Sequence, residues 1–250
     1  MMASLAATAV SGLPELSAGA DLAALILDAG VMPSDADILV VSQKAVSKTE
    51  GRVRELDSIA PSQRASELAR ALGKDARHVQ AILDEASEVL RAERGILIVR
   101  THHGFVCANA GIDESNAPAE GVLTLLPADP DRSARELRAR LRELCGRAPG
   151  VVISDSFGRA WRVGQLDTAI GCAGVAPLDD WRGRRDRRGR ELRASVVAVA
   201  DAIAAAAELA RAKDPGEPVV IVTGVGRYVI AEDGPGAAAL IRARSEDLFT

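Results

Sequence analysis

The stretch Val151–Gly171, VVISDSFGRAWRVGQLDTAIG, limits what this chain can fold into more than any other segment. It opens on Val151-Val152-Ile153, a β-branched run of the kind that makes a buried strand. The run stops at Ser154-Asp155-Ser156, three oxygen-bearing side chains where the strand is expected to end. Gly158 and Gly164 follow, with Arg159, Trp161 and Arg162 between them and Gln165 and Asp167 just after. Carboxylate, hydroxyl, guanidinium and amide groups gathered around glycines at a strand end suit phosphate and hard metal ions. A polar loop held shut by an Arg–Asp pair accounts for the same residues, and the stretch alone leaves both readings open.

A chain of 250 residues can bury a sizeable core, as one large domain or two small lobes. Aromatic residues make up only 2% of it, so that core is expected to be built from Ala, Val, Leu and Ile. The net charge of −4 weighs against nucleic acid as a partner, because phosphate affinity depends on surplus cations. Cys107, Cys145 and Cys172 show no CxxC spacing and cannot all pair, which suits a reducing compartment. No apolar run approaches a membrane span, and the N-terminal MMASLAATAVSGLPEL lacks the charged start of a secretory signal. A cytoplasmic location is expected.

Along the chain, Asp21 is a plausible N-cap for a helix ending at Ala29, and Ile38–Val41 reads as a buried strand. That strand runs into Ser42-Gln43-Lys44-Ala45-Val46-Ser47-Lys48, where a solvated turn is favoured over an anion-holding segment. The periodicity predicts helices over Pro61–Leu72 and Ala76–Arg91, with Gly73 as the stop between them. Ile96–Val99 is a strand that turns at Gly104 into Phe105–Ala108. His102 and His103, adjacent on this hairpin, point to opposite faces and are read as surface residues.

The second hairpin strand ends in Asn109-Ala110-Gly111-Ile112-Asp113-Glu114-Ser115-Asn116, again carboxylate, amide and hydroxyl groups around a glycine. Two separate strand-end carboxylates, Asp113 and Asp155, are what a divalent metal holding substrate phosphates needs. Further helices are expected over Ser133–Arg147 and Glu191–Arg211, and a last strand over Pro218–Val222. Between them, Trp181–Arg193 carries seven arginines among thirteen residues and reads as a solvated loop or a small basic lip for an anionic substrate. There is no GxxxxGK[ST] and no GxGxxG after a strand, so neither a Walker A nor a Rossmann loop is present. Strands and helices mix without strict alternation, which predicts an α+β fold.

Five segments, GLPEL (12–16), ILVVSQKAVSKTEGR (38–52), HGFVCANAGIDESN (103–116), VVISDSFGRAWRVGQLDTAIG (151–171) and GRELRASVVAVADAIAAAAEL (189–209), together resemble the coenzyme F420-0:L-glutamate ligase family. The resemblance implies a single ligase-like unit over residues 1–250, with two lobes and a mixed sheet. It implies GTP-dependent addition of L-glutamate to the terminal carboxylate of coenzyme F420-0, through an acyl phosphate. It also implies two divalent ions, Mg²⁺ or Mn²⁺, with K⁺ alongside, and a homodimer.

Carried over by position, the resemblance makes Asp113 and Asp155 ligands of one metal and Ser156 the hydroxyl ligand of a second. Pro14, Glu15, Leu16, Ser17, Gln43, Lys44, Lys48 and Asn116 fall at nucleotide contacts. Arg159, Arg162 and Gln165 fall at phosphate or substrate contacts, with Arg159 beside Asp155 in the catalytic group. Departures stand at Val163, Leu166 and Thr223, and at Arg211-Ala212-Lys213, where some relatives carry a glutamine ligand of the second metal. These departures leave room for a related carboxylate–amine ligase with a different acid or amino acid. A non-catalytic nucleotide- or deazaflavin-binding protein is the other alternative.

Overall fold

The computed structural model describes residues 4–114, 119–211 and 216–247. In chain order its elements are β1 (Ala6–Ala9), α1 (Leu22–Asp28), β2 (Ile38–Ser42), α2 (Gln43–Thr49), β3 (Val53–Glu55), α3 (Gln63–Leu72), α4 (Ala76–Asp84), β4 (Ala86–Glu93) and β5 (Ile96–Thr101). They continue as β6 (Val106–Ala108), β7 (Val122–Thr124), α5 (Pro130–Cys145), β8 (Gly150–Arg159), β9 (Arg162–Ala173), β10 (Leu178–Asp180), β11 (Val196–Ala198), α6 (Val199–Glu208) and β12 (Val219–Thr223). The fold is α+β, as the unalternating pattern predicts.

A five-stranded sheet in the order β1-β12-β2-β8-β9 forms the centre, with β2 and β8 parallel and the other pairs antiparallel. β2, β12 and the first half of β8 are apolar on both faces because both are covered. Leu39, Val41, Val151 and Ile153 face α1, α2 and α5, packing on Ile26, Val46, Leu137 and Leu141. Ile38, Val40, Val152 and Val220 face the other way, onto Val199, Ile203, Ala204 and Ala207 of α6. A separate core joins α3 and α4 to the three-stranded sheet β4-β5-β6 and the β3–β7 pair, around Ile82, Leu97, Val99 and Leu123. Among the described residues the buried apolar side chains, prolines aside, are Ala, Val, Leu and Ile with Cys107 and Cys172, as the aromatic-poor composition requires.

Helix α5 lies close on the sheet because β9 offers it a glycine. A Cβ on Gly171 would sit 2.3 Å from the Pro130 carbonyl oxygen, a backbone atom that no rotamer change can move away. Gly171→Ala is therefore expected to cost about 3 kcal/mol and to lower the thermal midpoint by ~8 °C. A melting curve of the purified variant checks this, and an unchanged midpoint would refute the tight contact.

Several segments fold differently from the sequence expectation. The helix over Ala76–Arg91 ends at Asp84, and Ala86–Glu93 is a strand instead, paired with β5 across a turn at Arg94 and Gly95. Sheet pairing there outweighs a helical pattern that local propensity leaves undecided. Likewise the helix over Glu191–Arg211 is confined to Val199–Glu208, because Val196–Ala198 pairs with β10. The expected turn at Ser42–Lys48 is a helix, α2, beginning at Gln43.

The strand opening at Val151 does not stop at Ser154. It continues to Arg159, because its ladder with β9 runs on past the covered part of the sheet. His102 is exposed as expected, whereas His103 is half-buried, with Nε2 2.9 Å from the Pro127 carbonyl oxygen. The caps follow local chemistry: Asp21 accepts from the Ala24 amide at 3.2 Å, Ser62 from Ala65 at 3.2 Å, and Gly73 closes α3 at a φ of 66°.

Candidate active site

The long hairpin of β8 and β9 carries the site. Beyond the bulge between Ile153 and Ser154, Asp155 lies opposite Thr168 and Ser156 opposite Asp167. Side chains alternate along a strand, so Ser154 and Ser156 share one face and Asp155 belongs to the other. The hydrogen bonds follow this division. Ser154 Oγ donates to Asp167 Oδ2 at 2.8 Å and Ser156 Oγ to Asp167 Oδ1 at 2.6 Å.

On the Asp155 side, the parallel pairing of β2 with β8 puts the start of α2 beside the acidic strand, since Ser42 is level with Ser154. Lys44, in the first turn of α2, reaches Asp113 with Nζ 2.6 Å from Oδ2. Asp113 is held by a two-way backbone bridge to Thr124, at 3.1 and 2.9 Å. Asp155 is pushed up to about 7, first by burial and then by the charges of Asp167 and Asp113. The Ser156 amide and Lys44 oppose that rise. Burial and the neighbouring carboxylates both disfavour the ionised form of Asp155, and a bound cation would favour it.

Asp113 and Asp155 therefore fit a hard divalent ion. Among the described residues no third His, Cys, Asp or Glu joins them to make an all-protein cage. Two carboxylates, with water and phosphate oxygens completing the shell, match the way Mg²⁺ is usually held.

The Ser156 side is different. Asp167 is 2% exposed and both of its oxygens are taken, Oδ2 also by the Arg211 guanidinium. Arg211 Nη2 donates to Ser154 Oγ at 2.9 Å as well. The Asp167 amide donates to Glu208 Oε2 at 2.9 Å, the Ala169 amide to Asp201 Oδ1 at 2.9 Å, and the Cys172 amide to Asp131 Oδ1 at 2.8 Å. Three carboxylates thus satisfy the outer edge of β9 in place of another strand. The Ser156 hydroxyl thus donates into a buried group that already contains a guanidinium, with Asp155 on the opposite face of the strand.

The other candidate residues divide by position. Glu15 and Lys48 form an ion pair at 2.5 Å, which ties the Pro14–Ser17 segment to α2. Leu16 is buried in the core, whereas Pro14 and Ser17 are exposed. Gln43 is fully buried, accepting from Ser47 Oγ at 3.0 Å through Oε1, and its Nε2 finds no partner among the described residues. Arg159 Nη2 closes the hairpin end on the Val163 carbonyl at 2.8 Å, and Arg162 and Gln165 are exposed there on β9.

Trp161 and Val163, 82% and 98% exposed, lie at the same tip. Of the sequence departures, Leu166 pairs with Phe157 in the ladder and Thr223 ends β12 opposite Ala6. Asn116, Ala212 and Lys213 lie outside the described residues. The sequence places Asp167 among the polar groups of its stretch and Arg211 at a departure but does not pair them, and gives Glu208 no role; the strand register brings the three together.

The F420-0:gamma-glutamyl ligase family model matches residues 12–224. The coenzyme F420:L-glutamate ligase of Methanothermobacter thermautotrophicus is 44% identical over 245 residues, covering 96% of each chain. The enzyme of the same name from Methanopyrus kandleri is 47% identical over 233 residues, covering 92% of each. That from Archaeoglobus fulgidus is 45% identical over 241 residues, covering 96% of this chain and 94% of the relative. With nearly its whole length matched by ligases of one kind, and the acidic strand pair inside the matched region, the chain belongs to the F420-0:gamma-glutamyl ligase family.

Proposed function

We propose that this protein is a GTP-dependent ligase that joins L-glutamate to coenzyme F420-0 in the biosynthesis of that coenzyme. The observation that carries the reading is the meeting of Asp113, Asp155 and Lys44 at one place, inside a chain that aligns end to end with ligases of that name. A divalent ion on Asp113 and Asp155, when bound, would neutralise phosphate oxygens and bring two anions together. Lys44 and Lys48 act as point charges toward the nucleotide phosphates. The Pro14–Ser17 segment and Gln43 flank them, and Asn116 belongs to the same group by position.

In the proposed reaction a carboxylate oxygen of F420-0 attacks the γ-phosphorus of GTP. The bond to the β,γ-bridging oxygen breaks, and GDP leaves. The glutamate amine then attacks the acyl carbon of the mixed anhydride, the amide forms, and phosphate departs with the proton balance met by solvent. Arg159, Arg162 and Gln165, at the open end of the hairpin, are assigned to anionic substrate groups. The low aromatic content and the acidic total leave nucleic acid aside as a partner.

We further infer one unit of two lobes, supported by the separate cores of the central sheet and of the α3–α4 region. A homodimer, and a cytoplasmic location supported by the free thiols of Cys107, Cys145 and Cys172, complete the reading.

The test is an incubation of purified protein with F420-0, L-glutamate, GTP and Mn²⁺ or Mg²⁺. The expected product is heavier by one or more glutamyl residues, with GDP and phosphate formed in step. No added glutamate, under conditions where a known ligase works, would favour a ligase for another acid or amine. GTP left intact with every acid tried would favour a binding protein.

A further inference from the structure

We propose that Arg211 stands in for a second divalent ion, so that each chain holds one metal and carries the neighbouring positive charge on a side chain. This rests on the ligase reading above, in which Asp113 and Asp155 hold the first ion. The place for a second ion is the Ser156 hydroxyl. That hydroxyl donates to Asp167 Oδ1 at 2.6 Å, and the other Asp167 oxygen receives Ser154 Oγ at 2.8 Å together with Arg211 Nη2. Arg211 also holds Ser154 Oγ at 2.9 Å and the Pro218 carbonyl at 3.4 Å through Nη1, so its head is fixed from two strands at once.

Asp167 is almost wholly buried and its carboxylate pairs with the Arg211 guanidinium, while the Glu208 carboxylate lies against its amide. A divalent ion on Ser156 would place two further charges beside the guanidinium where solvent screening is weak. Strand alternation separates the two places as well, since Ser156 and Asp155 project from opposite faces of β8. An ion held by Asp155 is not extended to Ser156 by a shared ligand. Arg211 is thus a positioning residue: it touches no reacting atom but fixes Asp167, and through it the two serines that flank Asp155.

The chemistry required of a second ion, a fixed positive charge beside the acidic strand, is supplied permanently and without affinity for a metal. The ligase step then depends on a single divalent ion over its whole concentration range.

Counting bound Mn²⁺ tests this. Purified protein saturated with Mn²⁺ and a non-hydrolysable GTP analogue is examined by equilibrium dialysis and by electron paramagnetic resonance. One Mn²⁺ per chain with no spin coupling is expected for the unaltered protein. Two per chain would overturn the inference and leave the ligase reading standing, whereas none would overturn the metal assignment of Asp113 and Asp155 and this inference with it.

Arg211→Met, which keeps length but loses charge, is expected to admit a second Mn²⁺ on the vacated Asp167–Ser156 group. Arg211→Lys is expected to hold one. A folded Arg211→Met that still binds one ion would show that Arg211 does not exclude the second, again overturning the inference. The count on the unaltered chain decides the matter even where a variant fails to fold. Failure of the glutamate assay with one ion bound would instead count against the ligase reading.

Discussion

Asp155→Asn is expected to lower metal-dependent GTP turnover by on the order of 10³-fold, the scale on which removal of one preorganised charge-stabilising group acts, while making the metal-free protein more stable at pH 8. The two effects have one cause. The folded state holds the Asp155 carboxyl at about 7, against an ordinary 3.8, because burial comes first and two neighbouring carboxylates add to it. A carboxyl raised in this way favours the folded state in its protonated form, fully below the ordinary value. That contribution is lost as pH rises through about 7.

Asn cannot ionise, so the variant should be more stable than the parent by on the order of 2 kcal/mol at pH 8, with the gap closing toward pH 4. Melting curves at both pH values without metal give the sign directly. A divalent ion reverses the balance, since it binds the carboxylate and releases the proton. Mn²⁺ affinity of the parent should therefore rise with pH through neutrality, and calorimetry at pH 6 should show proton uptake by the buffer. Full GTP turnover in Asp155→Asn would remove the metal assignment, and a variant less stable at pH 8 would remove the electrostatic account of it.

The parts of this site that were legible in the sequence are those where one residue type carries the chemistry by itself. Asp113 and Asp155 each follow an apolar run and stand among glycines and oxygen-bearing side chains, and the fold brings them within electrostatic reach of each other. What the sequence could not show was the face on which each side chain falls, because that depends on where β8 ends. An apparent strand end at Ser154 leaves Asp155 and Ser156 as neighbours in a loop, free to share a ligand. A strand running on to Arg159 sends them to opposite sides.

Arg211 illustrates the same limit. It lies 44 residues from Asp167 in the chain, and only the hairpin register joined to the end of α6 brings the two together. The strand at Ala86–Glu93 was hidden for a related reason: its partner β5, not its own periodicity, fixes its conformation.

Arg138→Met is expected to destabilise the protein by about 4 kcal/mol, the range found when one partner is taken from a buried charged network, and to leave the turnover of the remaining folded enzyme unchanged. Arg138 is only 5% exposed, on the face of α5 that meets the sheet. Its guanidinium donates to the Pro149 carbonyl at 3.1 Å, to Ile230 at 3.0 Å, to Ala231 at 3.1 Å and to Asp233 Oδ1 at 2.8 Å. These acceptors lie in the entry to β8 and in the segment after β12, which in turn closes on β9 through the Gly174 amide and the Asp233 carbonyl at 2.9 Å. Gly174 lacks the Cβ that would come 2.3 Å from Arg138 Nε, so the backbone leaves room for this head group.

Methionine fills much of the volume but offers no donor, leaving buried carbonyls unpaired. The carboxylate is a lesser matter: Asp233 is about half exposed and can turn to water, so Asp233→Ala should cost roughly 1 kcal/mol or less. The comparison separates the two contributions. Equal losses in the two variants would place the stabilisation in the ion pair, whereas a large loss confined to Arg138→Met places it in the carbonyls that the guanidinium gathers. Because this network anchors the base of the hairpin and the acidic pair lies further along it, assays well below the melting point should show kcat intact.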